Sequence, residues 1–144
     1  MELVRKIMTH PRIYPHITDD ASPSAQEFRP VEHPAVWYIL VYLDGEVAGV
    51  FVASQQTSAC FEAHVCLLPN CWGHSAEAAR ECCAWLFGKT DALRVVASVP
   101  GCNWLAGKMA RKTGMRPYGV NPFSFRRGGK VYFQELFGLS KEDC

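Results

Sequence analysis

The apolar run Phe61–Leu68, its interruption at Pro69-Asn70-Cys71-Trp72-Gly73 and the amphipathic stretch that reaches Phe87 constrain this chain more than any other segment. A strand-like run, a short turn holding Pro and Gly, a segment of helical period and then the β-branched run Leu93–Val99 describe a strand–helix–strand crossover over residues 60–99. Such a crossover joins parallel strands and lays its helix on one sheet face. The pleat places Glu62, His64 and Cys66 on one face of Cys60–Leu68 and Phe61, Ala63, Val65 and Leu67 on the other.

The remaining punctuation yields a mixed α/β domain. Residues 1–9 have a helical period, stopped at His10-Pro11 because proline disfavours helix in the residue before it. Five prolines lie in residues 10–34, an irregular stretch with room for a short helix near Ser24–Phe28; loops this long are often functional. Val36–Leu43 and Glu46–Ala53 flank Asp44-Gly45, a strong hairpin signal. Gly73–Phe87 reads as a helix with Ala76, Ala79, Cys83 and Leu86 on one stripe, halted by Gly88. Leu93–Val99 lacks alternation and reads as a central strand buried on both faces. Asn103–Thr113 is a second helix, with Leu105, Met109 and Lys112 in line and Gly114 as its left-handed cap. Met115–Val120 and Val131–Leu139 read as closing strands joined by the loop Asn121–Lys130. One domain over 1–144 is expected, with 1–35 as N-terminal helix and Pro-rich loop and 36–139 as core.

A net charge of +1 gives no electrostatic reason to expect nucleic acid or membrane as a partner. The seven cysteines are odd in number, and Cys60, Cys66, Cys82 and Cys83 fall inside apolar segments. They read as small buried hydrophobes in a reducing setting, without a disulfide framework. Residues 1–20 do not resemble a signal peptide, and no apolar run approaches the roughly 20 residues that span a bilayer. A cytoplasmic protein is expected.

The turn before residue 75 is where chemistry concentrates. Amides of a first helical turn lack intrahelical partners, and the helix dipole favours an anion beside them. With Glu62, Pro69, Trp72-Gly73-His74-Ser75, then Pro100-Gly101-Cys102-Asn103 and Lys112-Thr113-Gly114-Met115, the chain resembles the GNAT acyltransferase superfamily over roughly residues 36–139. The nearest branch is that of ribosomal-protein N-terminal acetyltransferases. The opening Met8–Asp20 and the Glu62-x-His64 pair are also similar to a phage group of GNAT-like proteins, some labelled as head-assembly proteins.

The resemblance implies a mixed central sheet flanked by helices and splayed between the strands at 60–68 and 93–99. It implies acetyl-coenzyme A as co-substrate and an amine acceptor, either a protein N-terminus or a small molecule. Gly73, His74, Ser75 and Ala76 would hold the pyrophosphate, while Cys66, Leu68 and Asn103 would hold the pantetheine arm. An amide near Cys66 would meet the oxyanion. Glu62 would be the general base, with His64 sharing or orienting that role, and partial burial would raise the Glu62 pKa. Family members often dimerise, which implies a homodimer as one state of assembly. The chain departs from the family at Ala106 and Ala110, where the pattern places a Ser and a Tyr proton donor. Those gaps support a second use, as a catalytically silent assembly or interaction protein of a phage, located in the host cytoplasm.

Other chemistries are weaker. His64, Cys66, Cys71 and His74 match no common zinc-ligand spacing, so no metal is expected. A cysteine nucleophile at Cys66 or Cys71 would need a covalent intermediate that direct attack by an amine does not.

Overall fold

A computed structural model describes all 144 residues. In chain order the elements are α1 (Glu2–Met8), α2 (Tyr14–Ile17), β1 (Val36–Leu43), β2 (Glu46–Gln55), β3 (Cys60–Leu67), α3 (Ser75–Lys89), β4 (Arg94–Pro100), α4 (Trp104–Thr113), β5 (Arg116–Arg127) and β6 (Lys130–Ser140). No helix is long and apolar enough to cross a membrane.

The strands form one sheet in the order β1-β2-β3-β4-β6-β5. Asp44 and Gly45 both take positive φ, 51° and 79°, the conformation that closes a hairpin whose twist matches its strands. Only β3 and β4 are parallel neighbours, and they pair solely through Cys60↔Arg94, Phe61↔Val95 and Glu62↔Val96. Beyond Glu62 and Val96 the two strands part, opening the splay expected between 60–68 and 93–99.

The sheet is covered differently on its two faces. Odd-numbered residues of β2–β4 and β6 pack under α3 and α4, where Phe51, Phe61, Leu86, Val95 and Phe137 form the main core. Even-numbered residues face the N-terminal segment, and Val4, Ile7 and Ile13 pack on Val50, Val52 and Cys66. On that face Val96, Ser98 and Leu136 are only half-buried, so β4 is not buried on both faces as its unbroken apolar run suggested. All seven cysteines are free, and Cys66, Cys71, Cys82 and Cys83 are buried.

Several local expectations change. The loop expected at 121–130 is mostly strand: β5 runs to Arg127 and turns only at Gly128-Gly129, both at positive φ. Register breaks between Pro117 and Gly119 and between Asn121 and Phe125 hid its period. The helix α3 continues through Gly88 to Lys89. In α4 the buried line is Gly107, Ala110 and Thr113, small residues that let the helix lie close to Phe137, while Leu105 is exposed. Residues 24–28 form a turn, and the short helix lies instead at Tyr14–Ile17.

The Pro-rich stretch is tied to the far hairpin. Both Asp20 carboxylate oxygens accept amide hydrogen bonds, from Gly128 and Gly129, each at 2.9 Å. Asp20 N–H donates to Arg126 O at 3.0 Å, and Arg127 Nη2 donates to Thr18 O at 2.8 Å. The two glycine amides hold the Asp20 carboxyl below its ordinary value of 3.8. A lowered folded-state value makes the tie fully present above the ordinary carboxylate range and lost as pH falls through the folded value. Asp20→Asn is therefore expected to speed hydrogen exchange at the Gly128 and Gly129 amides at neutral pH while the core amides stay protected. Equal protection in the variant at neutral pH would show that the carboxylate does not hold the hairpin.

Candidate functional site

A cavity of about 210 Å³ passes through the splay and so through the sheet. On the helix side its walls are Ala63, Val65, Ala79, Cys83, Ala97, Ala106 and Ala110; on the opposite side they are His16, Ile17, His64, Ser98, Phe125 and Gln134. Small side chains on α3 and α4 leave the passage open, and the parted strands leave main-chain groups of β3 without a strand partner. Such a passage is smaller than a usual small-molecule pocket of roughly 300–1,000 Å³ and has room for a thin, extended chain.

The register of β2 and β3 decides which β3 amides face the splay. The pairs run from Gln55↔Phe61 to Gly49↔Leu67 without a bulge, and Leu68 N–H donates to Ala48 O at 2.8 Å. Amides alternate sides along a strand, so Glu62, His64, Cys66 and Leu68 direct theirs toward β2, while Val65 and Leu67 direct theirs into the splay. This corrects the expectation for Cys66 and Leu68: their amides are committed to β2, and the amides free to meet a ligand arm or an oxyanion are those of Val65 and Leu67. The Leu67 carbonyl on the same side accepts from Trp72 Nε1 at 2.9 Å, and the Arg12 guanidinium lies 4.9 Å over that indole. Cys66 itself is 1% exposed, beneath α1, where burial pushes its thiol up to about 12. The pleat alternation made Val65 legible in principle; only the pairing partner of β3 fixed which amides were free.

Glu62 and His64 do meet, with His64 Nε2 3.2 Å from Glu62 Oε1. His64 lines the cavity and Glu62 does not. The hydrogen bond from His64 holds the Glu62 carboxyl below its usual range, outweighing the opposite effect of partial burial. This reverses the expected upward shift, because the carboxylate found a donor that desolvation alone ignores. A proton held by Nε2 toward Glu62 leaves Nδ1 as the acceptor nitrogen of a neutral imidazole.

The segment before α3 also differs from expectation. Pro69–His74 is a 3-10 helix that runs directly into Ser75–Lys89. Its bonds reach three residues back, beginning with Cys71 N–H to Leu68 O at 2.9 Å, so its amides are wound inward instead of fanned outward. Ser75 Oγ donates to Trp72 O at 2.9 Å, and His74 Nδ1 lies 3.6 Å from Glu77 Oε2. A Cβ at Gly73 would meet nothing within 4 Å, so the backbone there stands open to an approaching molecule. Gly73, His74, Ser75 and Ala76 thus lie at the head of α3, outside the cavity walls.

Asn103 lines the cavity and caps α4, its Oδ1 accepting from Ala106 N–H at 3.3 Å. Asn103→Ala is expected to cost about 1 kcal/mol of stability, read as a lower urea midpoint with unchanged slope. Ala106 and Ala110 also line the cavity, so the positions that lack a donor are at the site itself. Of the hydroxyls in the walls, Thr113 Oγ1 donates to Met109 O at 2.9 Å, which leaves Ser98. The tyrosine Tyr14 is committed to Pro23 O at 2.6 Å. His16, Ser98, Phe125 and Gln134 escaped sequence reading because they come from distant segments joined only by the sheet. No cluster of His, Cys, Asp and Glu able to hold a metal is present.

No family model matches the sequence, and no curated protein matches it. Solved structures do match its fold. A GNAT-family acetyltransferase from Bacillus anthracis superposes with a TM-score of 0.63 at 17% identity, over 75% of this chain and 67% of the other. The Campylobacter jejuni N-acetyltransferase PseH, solved in complex with acetyl coenzyme A, gives 0.60 at 19% identity over 76% and 70%. RimL, a ribosomal L7/L12 alpha-N-protein acetyltransferase in complex with coenzyme A, gives 0.67 at 13% identity over 76% and 64%. The chain spans about two-thirds of the length of these neighbours. It has the fold of the GNAT acetyltransferases: a six-stranded mixed sheet flanked by helices and split between its parallel neighbours.

Proposed function

We propose that this protein transfers an acetyl group from acetyl-coenzyme A to an amine, with the thioester lying in the splay between β3 and β4. The observation that carries this reading is the passage through the sheet at the splay, with His64 on its wall and Glu62 bound behind it. The passage fits the arm of the co-substrate: it is small and mostly apolar, and the Val65 amide faces it without a strand partner. Two of the solved neighbours hold coenzyme A or acetyl coenzyme A, which supports the choice of group. When bound, the thioester supplies an activated acyl carbon.

The chain's own residues supply the rest. His64 Nδ1 takes the proton of the attacking amine, and Glu62 holds the ring in the tautomer that makes Nδ1 basic. The Val65 amide meets the charge that develops on the acyl oxygen, a donor already in place before reaction. Ser98 is the wall hydroxyl assigned to donate a hydrogen bond to the departing sulfur, which leaves as thiolate and takes its proton from solvent. Asn103 and the Leu67 amide hold the arm. Gly73, His74, Ser75 and Ala76 remain the proposed pyrophosphate contact, which requires the Pro69–His74 turn to loosen; 3-10 bonds have poor geometry, so that loosening costs little.

Titration calorimetry with acetyl-coenzyme A, followed by thiol release with an amine panel, tests this. Binding with turnover supports it. Binding with no acetylation of any amine would favour the silent assembly protein that Ala106 and Ala110 suggest, and no binding would remove the enzymatic reading.

A further inference from the structure

The acceptor side of the cavity has a charge pattern that acetyl transfer itself does not call for. No Asp or Glu lines the cavity, whereas His16 and His64 both do. The carboxylates on this side are committed elsewhere: Glu62 to His64 at 3.2 Å, and Asp20 to the amides of Gly128 and Gly129. The half-buried guanidinium of Arg127 lies outside the cavity wall, beside segments that form it. Its Nη2 donates to Thr18 O at 2.8 Å, beside Ile17, and its Nη1 donates to Cys102 Sγ at 3.5 Å, between Pro100 and Asn103. Its Cζ lies 4.9 Å from the Phe125 ring. A carbonyl, a sulfur and a ring hold the group in place without neutralising it. Asp20 feels the charge through space, but its oxygens point to the glycine amides.

We infer that Arg127 makes the acceptor site selective for amines that carry a carboxylate near the reacting nitrogen, and against polycationic amines; the inference rests on the acetyl-transfer reading above. A carboxylate there gains a charge-assisted bond to a planar donor fixed beforehand. A polyamine brings a second ammonium to walls with no acid to receive it and a guanidinium beside them, a like-charge contact that suppresses the wrong partner.

The test uses the full chain, acetyl-coenzyme A and three acceptors: a short peptide beginning Ser-Glu-Asp, the same peptide beginning Ser-Lys-Lys, and spermidine. Thiol release should favour the acidic peptide in kcat/KM by at least about tenfold over the other two. Arg127→Gln should collapse that preference through KM, and Arg127→Lys, which keeps the charge, should retain most of it. Asp20→Asn loosens the same N-terminal strap without altering the cation, so it should keep the preference; loss of preference there would assign the effect to the strap and overturn the role of Arg127. Equal or better use of spermidine, or an undiminished preference in Arg127→Gln, would also overturn the inference while leaving acetyl transfer intact. Thiol release with none of the three would overturn the acetyl-transfer reading and this inference with it.

Discussion

Replacing His64 by glutamine is expected to lower kcat/KM for acetyl transfer by about 10²–10⁴-fold, the usual contribution of a positioned general base. The side chain is 53% exposed, so the substitution should leave the melting temperature within a degree or two and separate chemistry from folding. Glu62→Gln should give a smaller loss, in kcat more than in KM, because the amide oxygen still accepts from Nε2. That ordering separates the two residues. If Glu62 were itself the base, its substitution would cost the most, although a carboxyl held below the usual range by His64 is poorly matched to taking a proton from an amine near neutral pH. A larger defect in Glu62→Gln than in His64→Gln would therefore reverse the assignment.

The exchange of roles proposed for these residues shows where sequence reading ends. That Glu62 and His64 share a face follows from the period of a strand, and so does the splay's location between two strands joined by a helix. Which of the pair faces the passage depends on rotamers and on the loss of strand pairing after Val96, and neither is written locally. The same boundary separates Cys66 from Val65: alternation was visible, but the assignment of amides needed the Leu68–Ala48 bond that sets the register. The head of α3 differs from its expected turn for a related reason. Pro69 and Gly73 mark a turn equally well whether the amides between them fan outward or wind into a 3-10 helix, and the hydroxyl of Ser75 settles on the nearest carbonyl. His16 reaches the cavity wall, and Arg127 lies beside it, where Thr18 and Asp20 meet the β5–β6 turn more than 100 residues away in sequence. Composition carries no trace of that tie.

The largest stability effect is expected from Phe137→Ala. Phe137 is fully buried in β6, paired across to Ala97 of β4 and Pro117 of β5. The Arg111 guanidinium lies 4.9 Å over its ring, and Gly107 of α4 approaches the same ring. The side chain is thus the seat on which α4 rests, and α4 carries Asn103, Ala106 and Ala110 into the cavity wall. Truncation removes the transfer energy of a phenyl group and leaves a void that two strands and a helix cannot close, a cost of about 3–5 kcal/mol. For a chain of this size that corresponds to a fall in Tm of roughly 10–15 °C. Phe123→Ala provides the contrast: its ring is 89% exposed, and its loss should move Tm by no more than a degree or two. Thermal unfolding of the two variants beside the wild type reads both at once. The site should suffer with the seat, so Phe137→Ala should also weaken acetyl-coenzyme A binding below its melting range, whereas Phe123→Ala should not. Similar melting temperatures for the two variants would mean that α4 is held by contacts other than this ring, and the packing that keeps the splay open would have to be sought under α3 instead.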